Sequence, residues 1–236
     1  MKRLFVALAM VLGCAAALAA EAQEKDIDIQ ADGTTLKGSY FSPGRPGPGI
    51  LLLHQCNMDR HAWDGLAHDL ANAGFHVLTF DFRGFGESGG NGGTGRPVMR
   101  EKWPGDVDAA FAVLKEQKGV DGARLAAGGA SCGVTQASDL AARNHEVQAL
   151  MLLSGMASAA AKEYLTATPS VAVFGAASAG DTNAAKGIQE AVGASKNPHS
   201  TVKIYEGTEH GVPMFAKHAD LEPMIVSWLK EQVGGR

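Results

Sequence analysis

The residues whose types and spacing most directly suggest chemistry are Gly129-Ala130-Ser131-Cys132-Gly133. An apolar run precedes this pentapeptide and a helical pattern follows it. A chain that reverses so sharply between strand and helix holds its serine in a strained conformation and admits only small neighbours. The hydroxyl then projects at the strand end, over the N-terminus of the next helix. The plainer reading is a tight turn of five small residues with no catalytic part.

A serine hydroxyl needs a base, and the base needs an acid to orient it. In a strand–elbow–helix setting the chain order is serine, then Asp or Glu, then His. Downstream of Ser131 stand His145, His199, His210 and His218. His210 follows the strand-like TVKIY, so it falls at a strand's carboxyl end. His145 belongs to a helix-to-strand connection, His199 precedes its strand, and His218 lies within the expected closing helix. The first acid beyond the apolar run Val171-Ala172-Val173-Phe174 is Asp181, which would accept the second ring N–H of His210. An N-cap role for Asp181 is compatible with that. Glu206 and Glu209 are rivals, but residues so near His210 in sequence seldom point back at its ring.

The negative charge that develops on a substrate oxygen needs two backbone N–H donors. One belongs to Cys132, directly after the serine. The other belongs to the loop after Ile50-Leu51-Leu52-Leu53, which reads His54-Gln55-Cys56-Asn57. If the N–H groups of Cys132 and Cys56 converge on one oxygen, their α-carbons lie roughly 5–6 Å apart, within disulfide reach. A Cys56–Cys132 bridge is therefore expected, with two unpaired small residues as the alternative.

These positions require strands that end together. Residues 25–30 and 35–42 read as an antiparallel pair around Asp32-Gly33. The loop 43–49 is too rich in Pro and Gly for either element. Strands are expected at 50–53, 75–80, 124–129, 147–153, 170–174 and 201–205. Helices are expected at 60–73, 104–117, 131–143, 183–194 and 213–232, with Pro104 in a first turn. Alternation of this kind makes an α/β fold, a mostly parallel sheet of about eight strands with helices on both faces. Its ligands bind at the strands' carboxyl ends.

With His54, the segment Asp81-Phe82-Arg83-Gly84-Phe85-Gly86-Glu87-Ser88, the elbow, Asp181 and His210-Gly211 in view, residues 35–232 resemble the α/β-hydrolase superfamily. The short interval between Leu153 and Ser170 leaves no room for a separate lid domain, as in the dienelactone hydrolase-like branch. Two departures stand out. Many relatives carry Gly after the histidine of the oxyanion loop, where this chain has Gln55, whose side chain is expected to line the pocket. Dienelactone hydrolases proper use Cys where this chain has Ser131, so their substrate does not transfer. The resemblance implies a cofactor-free esterase for small or medium acyl substrates. A peptidase or amidase on the same residues, or a non-catalytic ligand-binding relative, are the alternatives.

The remaining features bound the setting. A net charge of −4 with scattered basic residues excludes a nucleic-acid footprint. Asp59, His61, Asp64 and His68 lack a metal-binding spacing, so no metal is expected. Asp106 and Asp108 read as charge complements to a helix N-terminus. Arg83 is expected to meet carboxylates or carbonyls, and Trp63, Trp103 and Trp228 to fill the core or its rim. Residues 1–20 begin with Lys2 and Arg3, continue apolar and end in small residues, the pattern of a signal peptide. Cleavage would follow Ala19, Ala20 or Ala22, leaving residues 21–236 as one domain, periplasmic or secreted. A lipobox ending at Cys14 offers the alternative of an envelope lipoprotein. Oligomeric state leaves no mark in the sequence.

Overall fold

The computed structural model describes residues 22–90 and 96–234. The expected leader, Cys14 and the glycine-rich stretch 91–95 lie outside the described residues. Among the described residues eight strands form one sheet: β1 (Gln23–Ala31), β2 (Thr34–Ser42), β3 (Gly47–Leu53), β4 (His76–Phe80), β5 (Val120–Ala130), β6 (Val147–Leu153), β7 (Ala172–Ser178) and β8 (Thr201–Tyr205). Their order is β1-β2-β4-β3-β5-β6-β7-β8. The β1–β2 and β2–β4 pairs are antiparallel and the rest parallel.

The helices are α1 (Asp64–Asn72), α2 (Arg96–Glu116), α3 (Cys132–Asn144), α4 (Ala159–Ala167), α5 (Thr182–Ala194), α6 (Met214–Lys217) and α7 (Leu221–Val233). Alternate strand residues face opposite sides of a sheet, and two apolar layers follow from that. Leu51, Leu53, Leu125, Ala127, Leu150 and Leu152 pack with α2 through α5. Ile50, Leu52, Ala126, Met151 and Phe174 pack with α1 and α7. Both faces of β3 and β6 are thus buried, which is why these strands are continuous apolar runs. Trp63, Trp103 and Trp228 are core residues.

Several boundaries differ from the sequence-based expectation, each because a distant partner outweighs local preference. β3 starts at Gly47, inside the expected loop, since the Gly47 N–H donates to the Gly119 carbonyl at 3.0 Å. β7 runs on through Gly175-Ala176-Ala177-Ser178, paired with β6 on one side and β8 on the other. α4, not foreseen, starts where the Ser158 hydroxyl accepts the Ala161 N–H at 3.0 Å. α2 begins eight residues before Pro104, so Pro104 lies inside the helix. Asp106 and Asp108 are consequently not first-turn residues. Asp106 is buried and takes the Arg83 guanidinium at 2.5 and 2.9 Å, while Asp108 takes Arg143 at 2.8 Å. The closing helix is broken between α6 and α7. There the Tyr205 ring stacks on His218 at 4.2 Å and its hydroxyl donates to Asp220 at 2.9 Å.

Two cross-links hold the loops at the carboxyl ends of the strands. Arg60, buried, donates its backbone N–H and its guanidinium to Asp81 at 2.7 and 2.6 Å, and also reaches Glu87. A disulfide joins Cys56 to Cys132, with α-carbons 5.9 Å apart and a sequence separation of 76. Closing a loop of that length removes unfolded-chain entropy worth about 4 kcal/mol. Peptide mapping of non-reduced protein is expected to recover Cys56 and Cys132 in one linked peptide, blocked to alkylation. Alkylation of both without reductant contradicts the pairing.

Two buried histidines carry a pH signature. His54 Nε2 accepts the Phe82 N–H at 3.0 Å and its Nδ1 faces the Gln55 carbonyl at 2.8 Å, so the ring is neutral with its proton on Nδ1. His76 Nε2 donates to the Arg45 carbonyl at 3.0 Å, and Nδ1 accepts from Tyr40. Burial pushes both imidazoles below their ordinary value. Below a pH of about 6.5 the unfolded chain therefore takes up protons that the folded chain refuses, and stability falls with pH. Urea midpoints measured from pH 7.5 to 5 should fall more steeply in the wild type than in His76→Gln; equal slopes contradict this role for His76.

Candidate active site

β5 delivers Ser131 at its carboxyl end, between β3 and β6. The residue has φ 54° and ψ −117°, a conformation L-residues rarely adopt. Two hydrogen bonds hold it there. Its N–H donates to the Leu153 carbonyl at 2.9 Å, and its carbonyl accepts the Val134 N–H at 3.0 Å. The first turn of α3 lies so close to β3 that a Cβ on Gly133 would stand 2.3 Å from the Leu53 carbonyl oxygen. Only glycine permits that approach, which accounts for the final position of the pentapeptide.

Asp181 follows β7 and His210 follows β8, as the chain order anticipates. The His210 Nδ1 lies 2.5 Å from Asp181 Oδ2. Asp181 occupies the N-cap position of α5, but its side chain makes no capping bond and is committed to the histidine. Glu209, a rival in sequence, turns its carboxylate to the Thr208 N–H at 3.1 Å. The His210 side chain is 44% exposed, against 20% for Asp181. With Nδ1 engaged, Nε2 is the ring atom left open to a ligand. Ser131 and His210 line the same cleft, although no hydrogen bond joins them; such contacts commonly tighten only when substrate is bound.

The loop after β3 comes to the elbow as anticipated, and the disulfide ties Cys56 to the residue following Ser131. Cys132 opens α3, so its N–H has no acceptor within the helix. The N–H of Cys56 meets no protein acceptor among the described residues. One expectation needs correction. The Gln55 side chain does not line the cleft; it is buried, only 2% exposed, and turned toward the His210 loop. There its Oε1 accepts the Val212 N–H at 2.9 Å, and its Nε2 donates to Asn57 at 2.8 Å.

The cleft encloses about 230 Å³. Sequence reasoning missed the rest of its wall: Thr135, Ser154, Gly155, Met156, Asn183 and Ala184. These belong to the first turn of α3 and to the stretches after β6 and β7, where no motif marks them. Met156, 61% exposed, is the one large apolar side chain at the rim among the described residues. The other histidines lie elsewhere. His145 stacks on Tyr164 at 5.1 Å, His199 offers its carbonyl to Trp228, and His218 caps α6 beneath Tyr205. His218 is therefore not inside a helix, contrary to expectation. His61 pairs with Asp64 at 3.0 Å and His68 with Glu24 at 3.4 Å, while Asp59 caps the turn Arg60–Trp63. No cluster of three metal-ligating side chains occurs among the described residues.

An uncharacterised protein of Mycobacterium tuberculosis is 37% identical over 120 residues, covering 50% of this chain and 41% of that protein. The chain thus spans less than half the length of the curated relatives it matches. An esterase of Pyrococcus furiosus superposes with a TM-score of 0.72 at 19% identity, over 90% of this chain and 93% of that one. A dienelactone hydrolase-like promiscuous phosphotriesterase from metagenomic libraries gives 0.69 at 18% identity, over 92% and 100%. At such identities these are likenesses of fold. Residues 45–181, more than half the chain, match the family described as serine aminopeptidase, S33. With the elbow at Ser131 and the α/β sheet around it, the chain belongs to this α/β-hydrolase family.

Proposed function

We propose that the protein is a serine hydrolase that cleaves carboxylic esters of small or medium acyl groups through an acyl-enzyme on Ser131. The observation that carries the reading is the His210–Asp181 pair beside the strained serine, in one cleft. Ser131 Oγ attacks the ester carbonyl carbon while His210 Nε2 takes its proton. Asp181 holds the Nδ1 proton and stabilises the imidazolium. The carbonyl oxygen, now negative, is held by the N–H of Cys132 and by that of Cys56 or Gln55. Collapse expels the alcohol, which receives the proton from His210, and water activated by the same histidine then releases the acid. No cofactor enters these steps.

The family description raises a second reading, cleavage of an N-terminal peptide bond. An aminopeptidase must hold its substrate's ammonium group, usually against a carboxylate. Among the described cleft-lining residues the one carboxylate is Asp181, already committed to His210. That favours an uncharged acyl group. We further propose that the protein works outside the cytoplasm, free or anchored through Cys14. The signal-like start supports this, as does a disulfide, since disulfides persist in oxidising compartments.

A panel of p-nitrophenyl esters and amino-acid anilides tests both readings. Ester turnover is expected in the wild type. Ser131→Ala should cut kcat by at least about 10³-fold and Asp181→Asn by on the order of 10³–10⁴-fold, with unchanged circular dichroism. Undiminished turnover in Ser131→Ala refutes the assignment, and turnover confined to the anilides favours the aminopeptidase.

A further inference from the structure

We infer that Gln55 is a positioning residue, which sets His210 through its side-chain amide while its own backbone belongs to the oxyanion loop. The inference rests on the hydrolase reading above and adds a residue to it. His210 is bracketed in sequence by two tethers. On one side the Ser178 hydroxyl, from the end of β7, donates to the Glu209 carbonyl at 2.8 Å. On the other the Val212 N–H donates to Gln55 Oε1 at 2.9 Å, across 157 residues of sequence. Asp181 fixes the ring between them.

The amide orientation is dictated by its partners. Oε1 must face the Val212 N–H, so Nε2 faces Asn57 Oδ1. Gly211 is shaped to this contact. Its φ is +70°, and a Cβ there would stand 2.3 Å from Gln55 Oε1. The Gln55 carbonyl takes the Met58 N–H at 3.1 Å and faces His54 Nδ1 at 2.8 Å, and its neighbour Cys56 is covalently tied to Cys132. The amide therefore hangs from a backbone fixed at both ends. A glycine at this position has no side chain to make the link. The chain thus joins the group that holds the oxyanion to the loop that carries the base. A shift of the ring by an ångström or so is enough to cost about 10- to 100-fold in rate.

Two substitutions of similar volume separate hydrogen bonding from packing. Gln55→Met keeps the bulk and removes the acceptor. Gln55→Glu keeps an acceptor for Val212, and the exposed Asn57 can turn its NH₂ to the second oxygen. On the ester substrate, Gln55→Met is expected to lower kcat about 10- to 100-fold with KM changed less than about twofold. Gln55→Glu should recover most of kcat. Wild-type kcat in Gln55→Met, or equal losses in both variants, overturns the inference. Hydrogen exchange at the Val212 amide gives a readout independent of activity: faster in Gln55→Met and near wild type in Gln55→Glu. If the wild type hydrolyses no ester, that exchange pattern still upholds the tether while the hydrolase reading falls. Unchanged exchange in Gln55→Met overturns the tether itself.

Discussion

The approach of α3 to the end of β3, where Gly133 meets the Leu53 carbonyl, is the constraint on which the rest of the site depends. A side chain at Gly133 would push the helix away from the sheet. With glycine, the helix N-terminus comes down beside the loop that leaves β3. Cys132 there lies within bonding distance of Cys56, next to Ser131 in its positive-φ conformation, and its N–H, like that of any first helical residue, has no acceptor within the helix. A strained backbone persists only where its surroundings over-determine it. Here the bonds to Leu153 and Val134, the sheet on both sides of β5 and the disulfide all hold the same turn.

Around this turn, buried charge and imidazole hold the loops that side chains of the core cannot reach. Arg60 and Asp81 clamp the segment after β4, Arg83 and Asp106 tie that segment to α2, and His54 links it to the loop after β3 through Phe82. Each buried pair is costly to break from one side, because the partner is left without compensation. The loops at the carboxyl ends of the strands are therefore stiff, which suits groups that must be aimed before a substrate arrives.

Much of this was legible in the sequence, and the parts that were not share a cause. Strands such as β6 and β8 were readable to the residue, since apolar runs and alternation are local signals. The elbow, Asp181 and His210 were readable because chain order and strand-end placement constrain them. The Cys56–Cys132 contact followed from asking where two N–H groups must point. Hidden were features decided by remote partners: the extension of β7 between two strands, the break at His218 under Tyr205, and Arg60 on Asp81. Gln55 stands out in the sequence as a departure expected to face the pocket, but it turns away, because its acceptor bond goes to a residue 157 positions distant. Sequence periodicity carries no trace of such a pairing.

The proposed hydrolase requires Ser131 to be a nucleophile that its surroundings activate. Incubation with a fluorophosphonate, followed by tryptic mapping, tests this without any assumption about substrate. One adduct is expected, on Ser131, formed much more slowly in His210→Ala. A protein that remains unlabelled, or is labelled equally fast without His210, contradicts it.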